Sequence, residues 1–249
     1  LAGAIWGAGF IAQSTAMQAL GPFWFIGLRF LVATFVALPF TLWEKARATA
    51  PLRTRDVAGF VLTGLALFAG AAFQQVGLLT TTVTNSGFLT GLYVVFTPIL
   101  TVLFLRRRPH WVIWPAALTA CLGIFLLSGG TLTALTLGDM LTVASAALWS
   151  VQMICVGVFS GRSGRPIALS LMQFAICGIL GCAAGLLFES VSLAAIQSAL
   201  PEILYAGLFS SGIAFIFQNV AQRYTTAPQA AIFLSSEALF AALFGVLLL

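Results

Sequence analysis

Two ionisable side chains, Arg29 and Glu237, stand deep inside long apolar runs. By insertion scales a charge at the bilayer centre costs about 2.5–3.5 kcal/mol, and such residues face a bundle interior or a water-filled path. Glu237 lies about ten residues into its run, about 15 Å at a helical rise of roughly 1.5 Å per residue. A carboxylate there suits a proton or a substrate amine. The structural alternative is a hydrogen-bonded Glu between helices. Arg29 lies roughly 10 Å from the end of its run. Its guanidinium is always charged. It either holds a substrate carboxylate or pairs with carbonyls and fixes the bundle, and the second, structural or gating role is the favoured expectation.

Amides crowd the same runs at Gln13, Gln74, Gln75, Gln152, Gln173, Gln218 and Asn219. In lipid an amide must face protein or water. With three amphipathic rings they outline a cavity suited to a zwitterion with an apolar or aromatic side chain. The expected lining is Trp6, Gln13, Gln74, Gln75, Tyr93, Trp149, Gln152, Gln218 and Glu237. Hydrogen bonding between helices is the alternative for any one amide. No HExxH, P-loop or GxSxG motif occurs, and the single His, His110, sits beside Arg108 and Pro109. Cys121, Cys155, Cys177 and Cys182 form no CxxC pair. No catalytic residue, metal or cofactor is expected.

The elements that must position these residues follow from composition. The chain of 249 residues is 61% apolar and 7% charged, where a soluble domain carries about 25% charged residues. Apolar runs of about 18–22 residues each suffice to cross a hydrocarbon core roughly 30 Å thick. The reading is an all-α polytopic membrane protein with nine spans, near 1–18, 23–43, 57–78, 85–105, 111–128, 139–159, 167–188, 203–222 and 228–249. Ten of the eleven basic residues fall in alternate connections: Lys45 to Arg55, Arg106 to Arg108, Arg162 and Arg165, and Arg223. By the positive-inside rule that side is cytoplasmic, as is the N-terminus. The net charge of +5 is thus a topology signal, and no nucleic-acid partner is expected. The spacings Gly3/Gly7, Gly87/Gly91 and Gly181/Gly185 predict close helix contacts. Pro98 is expected to bend the fourth span, and Asp139 to cap the sixth.

The spans repeat. The stretch from Phe73 to Thr97 aligns without a gap on Phe217 to Ala241 at an offset of 144, with six identities in 25 positions. The same offset carries Pro22 to Pro166, Phe30 to Phe174, Arg29 to Gln173 and Tyr93 to Glu237. A unit of five spans is odd, so its second copy enters the membrane inverted. The expected organisation is a 5+5 inverted-topology repeat, with residues 1–130 as the first unit and 131–249 as the second. Four spans of the second unit are visible, and a tenth span is expected after Leu249. Tyr93 and Glu237 then occupy equivalent places near the repeat axis, where transporters of this architecture hold substrate.

Five stretches carry a resemblance. These are AIWGAGFIAQ at the start, GLRF after Pro22, GIFLLSGG at 123–130, GDMLTVASAALWS at 138–150 and SSEALFAALFGVLLL at 235–249. In this order they resemble the drug/metabolite transporter superfamily, in its EamA-type ten-helix branch. The resemblance covers essentially the whole chain. It implies a ten-helix inverted repeat that moves small metabolites, with a Glu, an Arg and a Trp commonly at the places of Glu237, Arg29 and Trp149. The YddG-like exporters of that superfamily export amino acids. The resulting expectation is a monomeric secondary exporter of amino acids in a bacterial inner membrane, working by alternating access, with protons as a permitted coupling ion. A broad drug or metabolite carrier is the near alternative. An intramembrane enzyme on a lipid-linked substrate is the distant one, because it would need more convergent acid/base groups than Arg29 and Glu237.

Overall fold

A computed structural model describes residues 1–127 and 136–248. The repeat boundary at 130/131, part of the 123–130 motif and most of the connection near 129–138 lie outside the described residues. The rest is helical: α1 (Ala2–Ala16), α2 (Pro22–Ala46), α3 (Thr54–Gly77), α4 (Val83–Gly91), α5 (Tyr93–Leu105), α6 (Ile113–Leu127), α7 (Leu137–Ser163), α8 (Pro166–Phe188), α9 (Leu193–Ser198), α10 (Leu200–Tyr205), a π-helix (Ala206–Ala214), α11 (Phe215–Ala221), α12 (Ala227–Leu234) and α13 (Ser236–Leu248). Joined end to end, α4 with α5, α10 with the π-helix and α11, and α12 with α13 form single rods. Among the described residues, seven rods are long and apolar enough to cross a membrane, while α1 and α6 are apolar helices of 15 residues. The seven rods together with α1 and α6 fall at the nine predicted spans. Large side chains such as Phe35, Phe104, Leu122, Phe188 and Phe233 stand exposed on the outside, as a lipid-facing surface requires.

The most extensive packing is an antiparallel pair, α2 against α8, with α3 and α7 packed on it and the π-helix on α2; α1 packs on the π-helix and pairs with α13. Small residues set these contacts. A Cβ on Gly27 would meet Cys182 Sγ at 2.6 Å, and one on Gly181 would meet Gly27 N at 2.6 Å. One on Gly7 would meet Phe240 Cβ at 2.5 Å and Ala241 N at 2.7 Å, which seats α1 on α13. Gly3, Gly7, Gly87, Gly181 and Gly185 of the expected pairs thus face neighbouring helices, as close packing in lipid favours.

Both ends of the α2–α8 pair are closed by the same device. Each helix begins with Pro at its first position, leaving two backbone N–H groups in the first turn without an intrahelical acceptor. Glu44, at the end of α2, accepts from Ile167 N at 3.0 Å and Ala168 N at 2.9 Å, opening α8. Glu189, at the end of α8, accepts from Phe23 N and Trp24 N at 2.9 Å each, opening α2. Phe23 and Trp24 shifted by 144 are Ile167 and Ala168. The caps are thus reciprocal and related by the repeat. A carboxylate at a helix N-terminus also meets the positive end of the macrodipole. Glu44 pairs in addition with Arg165 Nε at 3.3 Å.

The repeat also shows in the broken rods. Thr82 caps α4 by accepting from Asn85 N, and Thr226 caps α12 by accepting from Gln229 N, each three residues on. The junctions at Leu92 and Ser235 have nearly equal dihedrals, φ −60°, ψ −14° and φ −59°, ψ −13°. These are tightened turns in which the ladder shifts. α5 continues through Pro98, and the interruption of the rod falls six residues earlier, at Leu92. Asp139 does cap α7, in a reciprocal box with Thr136 and with a bond from Thr81.

Candidate functional site

The two tightened turns place Tyr93 and Glu237 at the starts of α5 and α13, facing each other within range of interaction. Neither the Tyr93 hydroxyl nor Glu237 Oε1 completes a regular hydrogen bond. Both are buried and both line one narrow cavity, with about 50 Å³ of water-accessible space. Its walls come from both halves of the chain: α1, α2, α3, α4 and α5 on one side, and α7, the π-helix, α11 and α13 on the other.

Of the predicted lining, Trp6, Gln13, Gln74, Tyr93, Trp149, Gln152, Gln218 and Glu237 border this cavity. Gln75 does not. It is fully buried, with Nε2 donating to Gln13 O at 3.5 Å. Pro98 is buried in α5 away from the cavity. Arg29 is on the wall, where its expected role was structural. Phe10, Thr90, Met153, Ser210 and Phe215 also line the cavity and were missed. Phe, Met, Ser and Thr are common in any membrane helix, so residue type carried no signal. Two hints did exist: Thr90 is sixteen residues after Gln74, and Phe215 lies three before Gln218.

The apolar wall is an aromatic cluster centred on Phe215. Trp6 lies 4.9 Å from it and Trp149 stacks on it at 5.7 Å, with Phe174 edge-on behind at 6.1 Å. Trp6 is held by its indole N–H, which donates to Ser210 O at 2.9 Å. That carbonyl belongs to the π-helix, whose wider turns misalign the backbone ladder and often mark functional sites. The same segment presses on α2, where a Cβ on Gly207 would lie 2.9 Å from Arg29 O.

The polar wall divides into two kinds of group. Some amides are absorbed by the protein: Gln74 donates to Thr90 Oγ1 at 2.9 Å, Gln152 to Gln173 Oε1 at 3.0 Å, and Gln218 to Gln222 Oε1 at 2.9 Å. Gln222 continues that chain to Met153 O at 3.0 Å. Other polar atoms lack a regular hydrogen bond. Among the described residues thirteen buried side-chain atoms do, and six of them border this cavity: Gln13 Oε1, Arg29 Nε, Trp149 Nε1 and Gln218 Oε1, together with Tyr93 Oη and Glu237 Oε1, whose side chains face each other. Unpaired buried polar atoms cost about 1–3 kcal/mol each. Their concentration around one space, both donors and acceptors, is what a polar ligand needs.

A second hollow, with about 320 Å³ of water-accessible space, opens at the basic end of the bundle. Arg107, Arg108 and His110 line it with Thr101 of α5, Gly157 of α7 and the start of α12. Met153 borders the first cavity and Ile154 the second, so α7 separates them by a single residue step. Tyr93, Met153, Ile154, Ala227 and Ala231 pack together in that region.

Comparison with known proteins agrees with this architecture. An uncharacterized transporter from Archaeoglobus fulgidus is 31% identical over 245 residues, covering 98% of this chain and 75% of its own length. A crystal structure 19% identical in sequence superposes with a TM-score of 0.77, over 98% of this chain and 85% of that one, and shows likeness of fold. The EamA-like transporter family matches over residues 1–129 and 136–249. The chain is a multi-pass membrane protein of the EamA-like transporter family, whose members move small molecules.

Proposed function

We propose that this protein is a secondary exporter of small metabolites, with neutral and aromatic amino acids as the substrate class, in a bacterial inner membrane with its N-terminus in the cytoplasm. The observation that carries the reading is the cavity between the two halves, with aromatic rings on one wall and unpartnered polar atoms on the other. Aromatic rings suit an apolar or aromatic side chain. The orphaned donors and acceptors suit the polar end of the same molecule. The two halves, residues 1–130 and 131–249, form an inverted repeat that rocks about the cavity. The basic hollow is the cytoplasmic vestibule, and the packed layer around Tyr93 and Met153 is the barrier that parts during entry. One chain encloses the cavity, so a monomer suffices. A protein of this kind catalyses no covalent step.

The test is counterflow into proteoliposomes loaded with unlabelled amino acids. Labelled threonine, methionine and phenylalanine are followed with and without a pH gradient. Entry of any of them in excess of empty liposomes is the expected result, and its response to the gradient separates facilitated diffusion from proton coupling. Failure of all three to enter, with protein shown to be folded and inserted, rejects the amino-acid class and leaves the broader metabolite carrier as the reading to screen.

A further inference from the structure

The cavity holds one fixed cation and one acid, and they do not pair. Among the described residues, the ion pairs are Arg162 with Asp56 and Arg165 with Glu44, both at the basic end of the bundle. Arg29 has no carboxylate partner. It is 4% exposed, its Nε bonds to nothing, and its guanidinium lies between the rings of Phe25 at 5.3 Å and Phe30 at 4.9 Å. Rings held this way steady the plane of the guanidinium. They do not use its in-plane N–H donors, which remain for a ligand. A structural Arg would instead spend those donors on carbonyls or a carboxylate, because an unpaired buried charge is strongly destabilising.

We propose that Arg29 is the anion subsite of the cavity and takes the substrate's carboxylate in a bidentate fork, while Glu237 with Tyr93 takes its ammonium group. This deepens the reading above and rests on the cavity being the substrate site. A planar guanidinium and a planar carboxylate match through two parallel N–H···O bonds. Glu237 and the Tyr93 hydroxyl are acceptors for an ammonium. The ligand class follows: a zwitterion whose two charges complete two incomplete sites at once, with its side chain against Phe215, Trp6 and Trp149. A simple cation would leave Arg29 unpaired, and a simple anion would leave Glu237 so. The site therefore selects against both.

Binding is measured on purified protein by quenching of tryptophan fluorescence, with phenylalanine, phenylalaninamide, which lacks the carboxylate, and 3-phenylpropionate, which lacks the amine. In the native protein, phenylalanine is expected to bind at least tenfold more tightly than either analogue. Arg29→Gln is expected to weaken phenylalanine and 3-phenylpropionate at least tenfold and to leave phenylalaninamide within twofold. Arg29→Lys, which keeps the charge and loses the fork, is expected to fall between. Equal weakening of all three ligands by Arg29→Gln, or an amide that binds native protein as well as phenylalanine, overturns the subsite. If Arg29→Gln does not fold, the ranking of the three ligands on native protein decides. Binding of none of the three overturns it as well. Counterflow scores the export reading separately: phenylalanine transport together with equal binding of the amide removes the Arg29 subsite and leaves the exporter standing.

Discussion

Removing the carboxylate of Glu44 tests the reciprocal caps on the α2–α8 pair. In Glu44→Ala the N–H groups of Ile167 and Ala168 lose their acceptor, and Arg165 loses its partner. The Glu44 side chain is only 12% exposed, so water replaces it incompletely. A hydrogen bond to a charged group contributes about 1.5–3 kcal/mol. Two such bonds, discounted for partial wetting and for the near-surface ion pair, give a cost of about 2–4 kcal/mol. At about 2–4 °C per kcal/mol for a chain of this size, the midpoint falls by roughly 5–15 °C. Glu44→Gln keeps one carbonyl acceptor without the charge and should lose about half as much. Glu189→Ala removes the same two bonds from the start of α2 but no ion pair, so its cost should be smaller than that of Glu44→Ala. The double variant should lose the sum, because the caps sit at opposite ends of the pair and share no partner. The assay is thermal unfolding in detergent, followed by tryptophan fluorescence and by labelling of Cys177, which is buried between these helices. If Glu44→Ala and Glu189→Ala both unfold within 1–2 °C of the native protein, the caps contribute nothing and the argument from orphaned N–H groups fails here.

Gly7→Ala drives a methyl group into Phe240 Cβ and the backbone of Ala241. It should destabilise by about 1–3 kcal/mol as overpacking and reduce transport several-fold, because α13 carries Glu237. Gly161→Ala meets nothing within 4 Å in a helical position and should be neutral or stabilise by up to about 1 kcal/mol; unfolding midpoints of the two variants compare them directly. Trp6→Phe keeps the contact with Phe215 but frees Ser210 O. It should cost about 1 kcal/mol and weaken binding of aromatic substrates in a fluorescence titration. Glu237→Gln retains shape and removes the ionisable group. Substrate binding should weaken, and any dependence of counterflow on a pH gradient should disappear; transport with unchanged rate and unchanged pH dependence takes Glu237 out of the mechanism.

The sequence by itself determined the membrane class, the positions of nine spans and the two-fold repeat. Each rests on local or periodic information: run length against bilayer thickness, the side on which arginines collect, and residues recurring at a fixed offset. It also singled out Tyr93 and Glu237, because a carboxylate in lipid is costly enough to stand out one residue at a time. What only the tertiary structure decided concerns who meets whom. Phe215 is chemically no different from the lipid-facing Phe104 or Phe233, since lipid tails are as apolar as a core, and its place at the centre of the aromatic wall follows from helix rotation. Gln74 and Gln75 are neighbours in sequence, yet a helix turns about 100° per residue, so one reaches the cavity and the other does not. The caps by Glu44 and Glu189 join residues more than 120 positions apart, and their spacing of 145 escapes a search at 144. The rotation of α2 puts Arg29 on the wall of the same cavity as Glu237, without an ion pair between them among the described residues.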